Sequence, residues 1–130
     1  MSPWIALVSL LTVLLMSACT FAVGAARGRY GVKAPATTGH PDFERVFRVQ
    51  MNTLEASVMF LPALWLAGAY GDPAWAAGFG ALWLVGRLLY AVMYARDAQK
   101  RGAGFAIGLL ALSALLVQGG WGIAKALLAA

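Results

Sequence analysis

The sequence predicts an all-α integral membrane protein, a bundle of four spanning helices, and three observations carry that prediction. Of its 130 residues, 62% are hydrophobic and only 12% are charged, at a mean hydropathy of +0.75. A soluble domain of this size does not need so much apolar surface. The apolar residues fall into four long segments, each reaching the roughly 20 residues that carry a helix across a hydrocarbon core. All but Lys125 of the ten basic residues lie in or beside two of the three connections. The long apolar runs exclude barrel strands, and helices are then what satisfies the backbone in lipid. The net charge of +5 is therefore a topology bias, and no nucleic-acid partner is expected.

The first segment covers residues 4–26. Its Cys19 is the only cysteine, which rules out an internal disulfide and a thiolate zinc site, and no metal is expected. Residues 15–19 loosely resemble a lipoprotein cleavage box. Residues 1–14 hold no Lys or Arg, whereas a secretory signal needs a basic start, so the expectation is a retained helix with a buried thiol. The second segment covers residues 43–70, and Pro62 inside it predicts a kink. Gly71, Asp72 and Pro73 form a short link to the third segment, residues 74–101, so these two helices are an antiparallel pair. Gly102 and Gly104 are expected to break the chain before the fourth segment, residues 104–128. There Gly108, Ser113, Ala114, Gly119, Gly120 and Gly122 predict close helix–helix contact. Together these form one four-helix domain over residues 1–130. The connections 27–42 and 96–103 carry the basic residues, so the positive-inside rule places them in the cytoplasm and both termini outside. Trp65, Trp75, Trp83 and Trp121 are read as packing or interfacial residues, and His40 as a solvated turn residue.

Polar residues inside the apolar segments are costly, and read as functional by default. Arg45, Arg48, Asn52 and Glu55 fall within about 80° of one another on a helix of about 100° per residue. Gln50 lies on a different face and must look toward another helix or subunit. Arg87, Tyr90, Tyr94 and Arg101 make a second stripe, with Asp97 at its edge. Two such stripes on adjacent helices form a cationic pocket. Arginines suit a ligand with several carboxylates, Glu55 suits an ammonium, and Asn52, Gln50 and the tyrosines suit amides. Two carboxylates, an amine and two amides describe glutathione, while nucleotides and anionic lipid headgroups also fit an arginine pocket. A structural reading stands beside it: snorkelling arginines, and Glu55 in an ion pair with Arg48 or Arg87.

At these positions the sequence resembles the MAPEG superfamily, membrane-associated proteins of eicosanoid and glutathione metabolism. Thr37, Thr38, Gly39, Pro41, Phe43, Glu44, Arg45, Val46, Arg48, Gln50, Asn52 and Glu55 are similar to the signature of its leukotriene-C synthase and type 2 microsomal glutathione transferase branch. Gly86, Arg87, Leu88, Leu89 and Tyr90, with Tyr94, Ala95, Arg96, Ala98, Gln99 and Arg101, match a second block in register. The resemblance implies a homotrimer with glutathione, as co-substrate, bound between subunits. It implies binding positions at Arg27, Arg48, Gln50, Asn52, Glu55, Arg87, Tyr90 and Tyr94, with Arg101 stabilising the thiolate. A thiol of ordinary pKa about 8.5 is little ionised at neutral pH. Lowering that value by about two units takes only about 2.7 kcal/mol of differential stabilisation. The thiolate would then attack a hydrophobic electrophile or lipid hydroperoxide delivered by the bilayer, a detoxification chemistry.

Ala56 stands where leukotriene-C synthases carry a tyrosine, and Gly28 where they carry one of two paired arginines. These departures point away from leukotriene synthesis and toward a general bacterial-type transferase or peroxidase in the inner membrane, with an isomerase as a further branch of the scaffold. The alternative is a non-catalytic lipid-binding or scaffold protein of the same fold. A small transporter subunit would need a polar path across the whole bilayer, and Ser113, Gln118 and Lys125 make a poor one.

Overall fold

The computed structural model describes the backbone of residues 1–130 and every side chain except that of Ala98. Four helices long and apolar enough to cross a membrane make up almost all of it, as the sequence predicts: α1 (Pro3–Tyr30), α2 (Pro41–Tyr70), α3 (Pro73–Arg96) and α4 (Gly102–Ala129). The first three start the same way. A proline occupies the first turn, where its missing N–H costs nothing. The residue before it caps the helix: Ser2 accepts from the Trp4 N–H, His40 from that of Asp42, and Asp72 from that of Ala74. His40 is a cap as well as a solvent-accessible residue of the connection, and its ring stacks on Tyr30 at 4.4 Å.

Helix ends differ from the sequence expectation in three places. Helix α1 runs four residues past Ala26, because Arg27 and Arg29 continue the turn until Gly31. Gly31 adopts φ 70°, and its N–H bonds back to the Arg27 carbonyl, a left-handed stop that favours glycine. Helix α3 ends at Arg96 instead of continuing to Arg101. Asp97 turns extended, and its carboxylate accepts from the Gln99 N–H at 3.0 Å. That cap starts a 3-10 turn, Ala98–Arg101, which feeds directly into α4. Gly102 and Gly104 therefore do not break the chain; both lie inside α4. Helix α2 stays continuous through Pro62.

Glycines set the distances between helices. A Cβ on Gly86 of α3 would stand 2.8 Å from the Gly108 nitrogen of α4, and one on Gly104 would overlap the Tyr90 backbone. Gly119 meets the Ala67 backbone of α2, and Gly122 abuts the Tyr70 carbonyl. Gly120, in contrast, faces open space. The core sits between these contacts. Trp83 of α3 lies flat on Phe60 of α2, centroids 3.8 Å apart, in one buried cluster with Ile5, Val8, Leu64 and Leu115. Trp65, Trp75 and Trp121 are exposed on the helix surfaces. The result brings the C-terminal ends of α1 and α3 and the N-terminal ends of α2 and α4 to one end of the bundle.

Candidate functional site

That end collects most of the polar residues of α2 and α3. Tyr90 is its centre. Only 3% exposed, it stacks on Tyr94 at 5.4 Å, the pair one helical turn apart on α3. The guanidinium of Arg87 lies 4.2 Å from the Tyr90 ring centroid, a cation–π contact in a desolvated setting. Arg48 on α2 and Arg101 at the end of the 3-10 turn also lie within electrostatic reach of Tyr90. The early end of α3 at Asp97 sets this approach, because the turn that follows delivers Arg101 from a separate segment.

Arg48 pairs with Glu55 two turns on, at 3.8 Å, and both side chains are about half exposed. The ion pair anticipated by the structural reading thus exists, between two residues still open to solvent. Asn52 stands between them on the same face, and its Oδ1 is buried with no hydrogen-bond partner among the described residues. A buried amide oxygen without a donor is an acceptor awaiting one.

Arg87 differs from the other cations. It is 3% exposed, and its Nη2 donates to Thr53 Oγ1 at 2.9 Å. Its Nε has no partner among the described residues. It therefore joins α3 to α2 from behind the tyrosines instead of lining an open surface. Thr53 escaped the sequence reading. The signal was present: a cation deep in an apolar segment needs a polar partner, and Thr53 borders the polar stripe of α2. Cys19, read as a buried thiol, is buried in α1 beside Val49 and Tyr90, with Thr53 and Arg87 as polar neighbours.

Two predicted residues stand apart. Gln50 leaves the opposite face of α2 and donates to Thr20 of α1 at 3.1 Å. Arg27 turns into the first connection, donating to the Ala36 carbonyl at 2.7 Å with its guanidinium 4.9 Å from the Phe43 ring. Arg45 pairs with Asp42 within the first turns of α2. One chain thus assembles Arg48, Asn52, Glu55, Arg87, Tyr90, Tyr94 and Arg101 on one side, and Arg27 and Gln50 on another.

An apolar groove of about 810 Å³ runs between α1 and α3 from Trp4 and Ala74 to Leu15 and Leu88. Leu15 also packs on the Cys19, Val49 and Tyr90 cluster, so the groove ends beside the polar site.

The fold and this site define a helical membrane bundle with a cationic, tyrosine-centred cluster at one end. The MAPEG family profile matches residues 5–121. The chain is 53% identical over 114 residues to an uncharacterized protein of Synechocystis sp., covering 88% of this chain and 83% of that one. It is 41% identical over 124 residues to microsomal glutathione S-transferase 2 of Homo sapiens, covering 95% and 84%. Leukotriene C4 synthase of Bos taurus is 43% identical over 97 residues, covering 75% of this chain and 65% of that one. The chain belongs to the MAPEG family and is an integral membrane protein.

Proposed function

We propose that the protein is a glutathione-dependent membrane transferase that activates the glutathione thiol as thiolate for attack on a hydrophobic electrophile or lipid hydroperoxide. The observation that carries this reading is the Arg87 guanidinium 4.2 Å from the Tyr90 ring, with Tyr94 stacked on Tyr90 and Arg48 and Arg101 within electrostatic reach of it, in a chain 41% identical to a microsomal glutathione S-transferase. Arg48, Arg87 and Arg101 give this end a cationic character that favours an anionic ligand, and guanidinium forks pair well with carboxylates. Glu55 takes the ligand ammonium, which replaces Arg48 as its partner and releases that arginine to a carboxylate. Asn52 Oδ1 accepts from a ligand amide, and Tyr90 and Tyr94 complete the amide contacts.

Arg101 faces the sulfur. A cation beside a desolvated thiol stabilises the anion more than the neutral form. The thiolate then displaces a leaving group or opens an electrophile, and no group on the protein forms a covalent bond. Buried as it is, Arg87 acts through Tyr90, holding the ring by its guanidinium. The α1–α3 groove suits the apolar part of the second substrate. Arg27 and Gln50, which lie away from the main group, fit a homotrimer in which they complete the pocket of a neighbouring subunit.

The test is glutathione titration of detergent-purified protein, followed at the thiolate absorbance band, for wild type and Arg101→Ala. Saturable binding with a thiolate signal that Arg101→Ala removes is the expected result. Absence of binding at millimolar glutathione overturns the assignment and favours a non-catalytic lipid-binding protein of the same fold.

A further inference from the structure

The end of the bundle opposite the tyrosine pair holds a second pocket that thiol transfer does not use. It measures about 290 Å³ and lies where the last turn of α2, the first turns of α3 and the second half of α4 meet. Tyr70, Asp72, Trp75, Gln118, Trp121 and Lys125 line it. Its walls are fixed by close backbone approach: Gly122 abuts the Tyr70 carbonyl, and Gly71 abuts the Gln118 side chain.

Three features of this pocket ask for a ligand. Gln118 Nε2 donates to the Asp72 backbone carbonyl at 2.8 Å. That bond fixes which way the amide points, since a carbonyl accepts only from its NH₂ side. Gln118 Oε1 is then buried without a hydrogen-bond donor among the described residues. Asp72 spends one carboxylate oxygen on the Ala74 N–H at 2.8 Å as the cap of α3, and its charge remains. Lys125 is the one basic residue away from the two basic connections. Around these stand three exposed aromatics, Tyr70, Trp75 and Trp121, at the helix ends, where the aromatic belt marks headgroup level.

We infer that this pocket binds the headgroup of a phospholipid bearing a primary amine, with Lys125 on the phosphate and the ammonium between Gln118 Oε1, Asp72 and the aromatic faces. The chemistry discriminates among headgroups. A buried acceptor without a donor is relieved by an N–H. Ethanolamine supplies one, whereas a quaternary choline has none. A glycerol headgroup carries no cation for Asp72 or for the aromatic rings. The assignment is independent of the thiol chemistry at the other end.

Native mass spectrometry of the full-length protein in detergent tests it, with phosphatidylethanolamine, phosphatidylcholine and phosphatidylglycerol of identical acyl chains. Soluble phosphoethanolamine forms a separate arm. The expected result is retention of phosphatidylethanolamine about tenfold above the other two, the scale of one hydrogen bond to a charged group. Gln118→Leu should bring it down to the phosphatidylcholine level. Lys125→Gln, on an exposed side chain, should weaken retention of phosphatidylethanolamine and phosphatidylcholine alike; it carries the test alone if Gln118→Leu does not fold. Equal retention of phosphatidylglycerol, or a phosphatidylethanolamine preference that survives Gln118→Leu, overturns the inference. Soluble phosphoethanolamine binding as tightly as the lipid overturns it in favour of a soluble ligand.

Discussion

Thr53→Val is the most direct probe of how the tyrosine pair is held. Valine keeps the shape of threonine and removes only the oxygen that accepts from Arg87 Nη2 at 2.9 Å. The guanidinium would then keep the Tyr90 face at 4.2 Å and lose its one hydrogen-bond partner among the described residues. A hydrogen bond to a charged group contributes about 1.5–3 kcal/mol, and stranding a buried charge costs about 3–5 kcal/mol. The residual cation–π contact, worth about 0.5–2 kcal/mol, offsets part of that. A destabilisation of about 2–3 kcal/mol is expected. Thr53→Ser keeps the oxygen and loses a methyl group, for about 1 kcal/mol. The double variant Thr53→Val, Arg87→Met replaces both partners with apolar groups, and should be less destabilised than the sum of the singles. Equilibrium unfolding in mixed micelles of rising SDS fraction measures wild type, the singles Thr53→Val, Thr53→Ser and Arg87→Met, and the double variant. Equal destabilisation by valine and serine, or an additive double variant, refutes the view that Thr53 is the polar anchor of Arg87.

Further predictions follow from the glycines, the core and the division of the site. Gly104→Ala places a methyl group against the Tyr90 backbone and should cost about 1–3 kcal/mol as overpacking, whereas Gly120→Ala meets open space inside α4 and should hold or raise the melting temperature in detergent, because alanine is the better helix former. Trp83→Ala removes the ring stacked on Phe60 and should destabilise by about 3–5 kcal/mol in the same SDS titration. If pockets are shared between subunits, Gln50→Leu and Arg101→Ala chains, each weak in glutathione turnover alone, complement each other when co-expressed. Random assortment of equal amounts leaves about a quarter of the pockets intact; a mixture no more active than its components separates the two residues from any common pocket.

The fold was legible because its determinants are long-range averages. Four apolar segments and two basic connections survive any local ambiguity, and family membership is consistent with them. Boundaries depend on single side chains and were harder to read. Nothing in the pattern of residues 74–101 announces that Asp97 will turn outward and cap a new turn. The arginines at 27 and 29 read as loop because they are basic, yet a helix emerging from lipid carries such residues readily at its C-terminal end. Gly102 and Gly104 read as breakers, yet both lie inside α4; Gly104 serves as contact surface because the Tyr90 backbone presses against it, while Gly102 faces open space.

The candidate site shows the same division in sharper form. Helical spacing says which residues share a face: Arg48, Asn52 and Glu55 on α2, Arg87, Tyr90 and Tyr94 on α3, with Gln50 on the other side. It does not say which face meets which neighbour, nor how deep each side chain lies. Arg48 and Arg87 look equivalent on a helical wheel, yet one is half exposed and pairs with a carboxylate, and the other is buried against a threonine and a tyrosine. That difference assigns them different work. An exposed arginine in an ion pair can exchange its partner for a ligand carboxylate at little cost, since both states are solvated. A buried one cannot move without stranding its charge, so Arg87 fixes the Tyr90 ring while Arg48 remains free to bind. Substituting Arg48 should therefore weaken glutathione affinity without altering the fold, and substituting Arg87 alone should disturb the fold before it disturbs affinity. The two effects are separable by measuring unfolding and binding on the same protein.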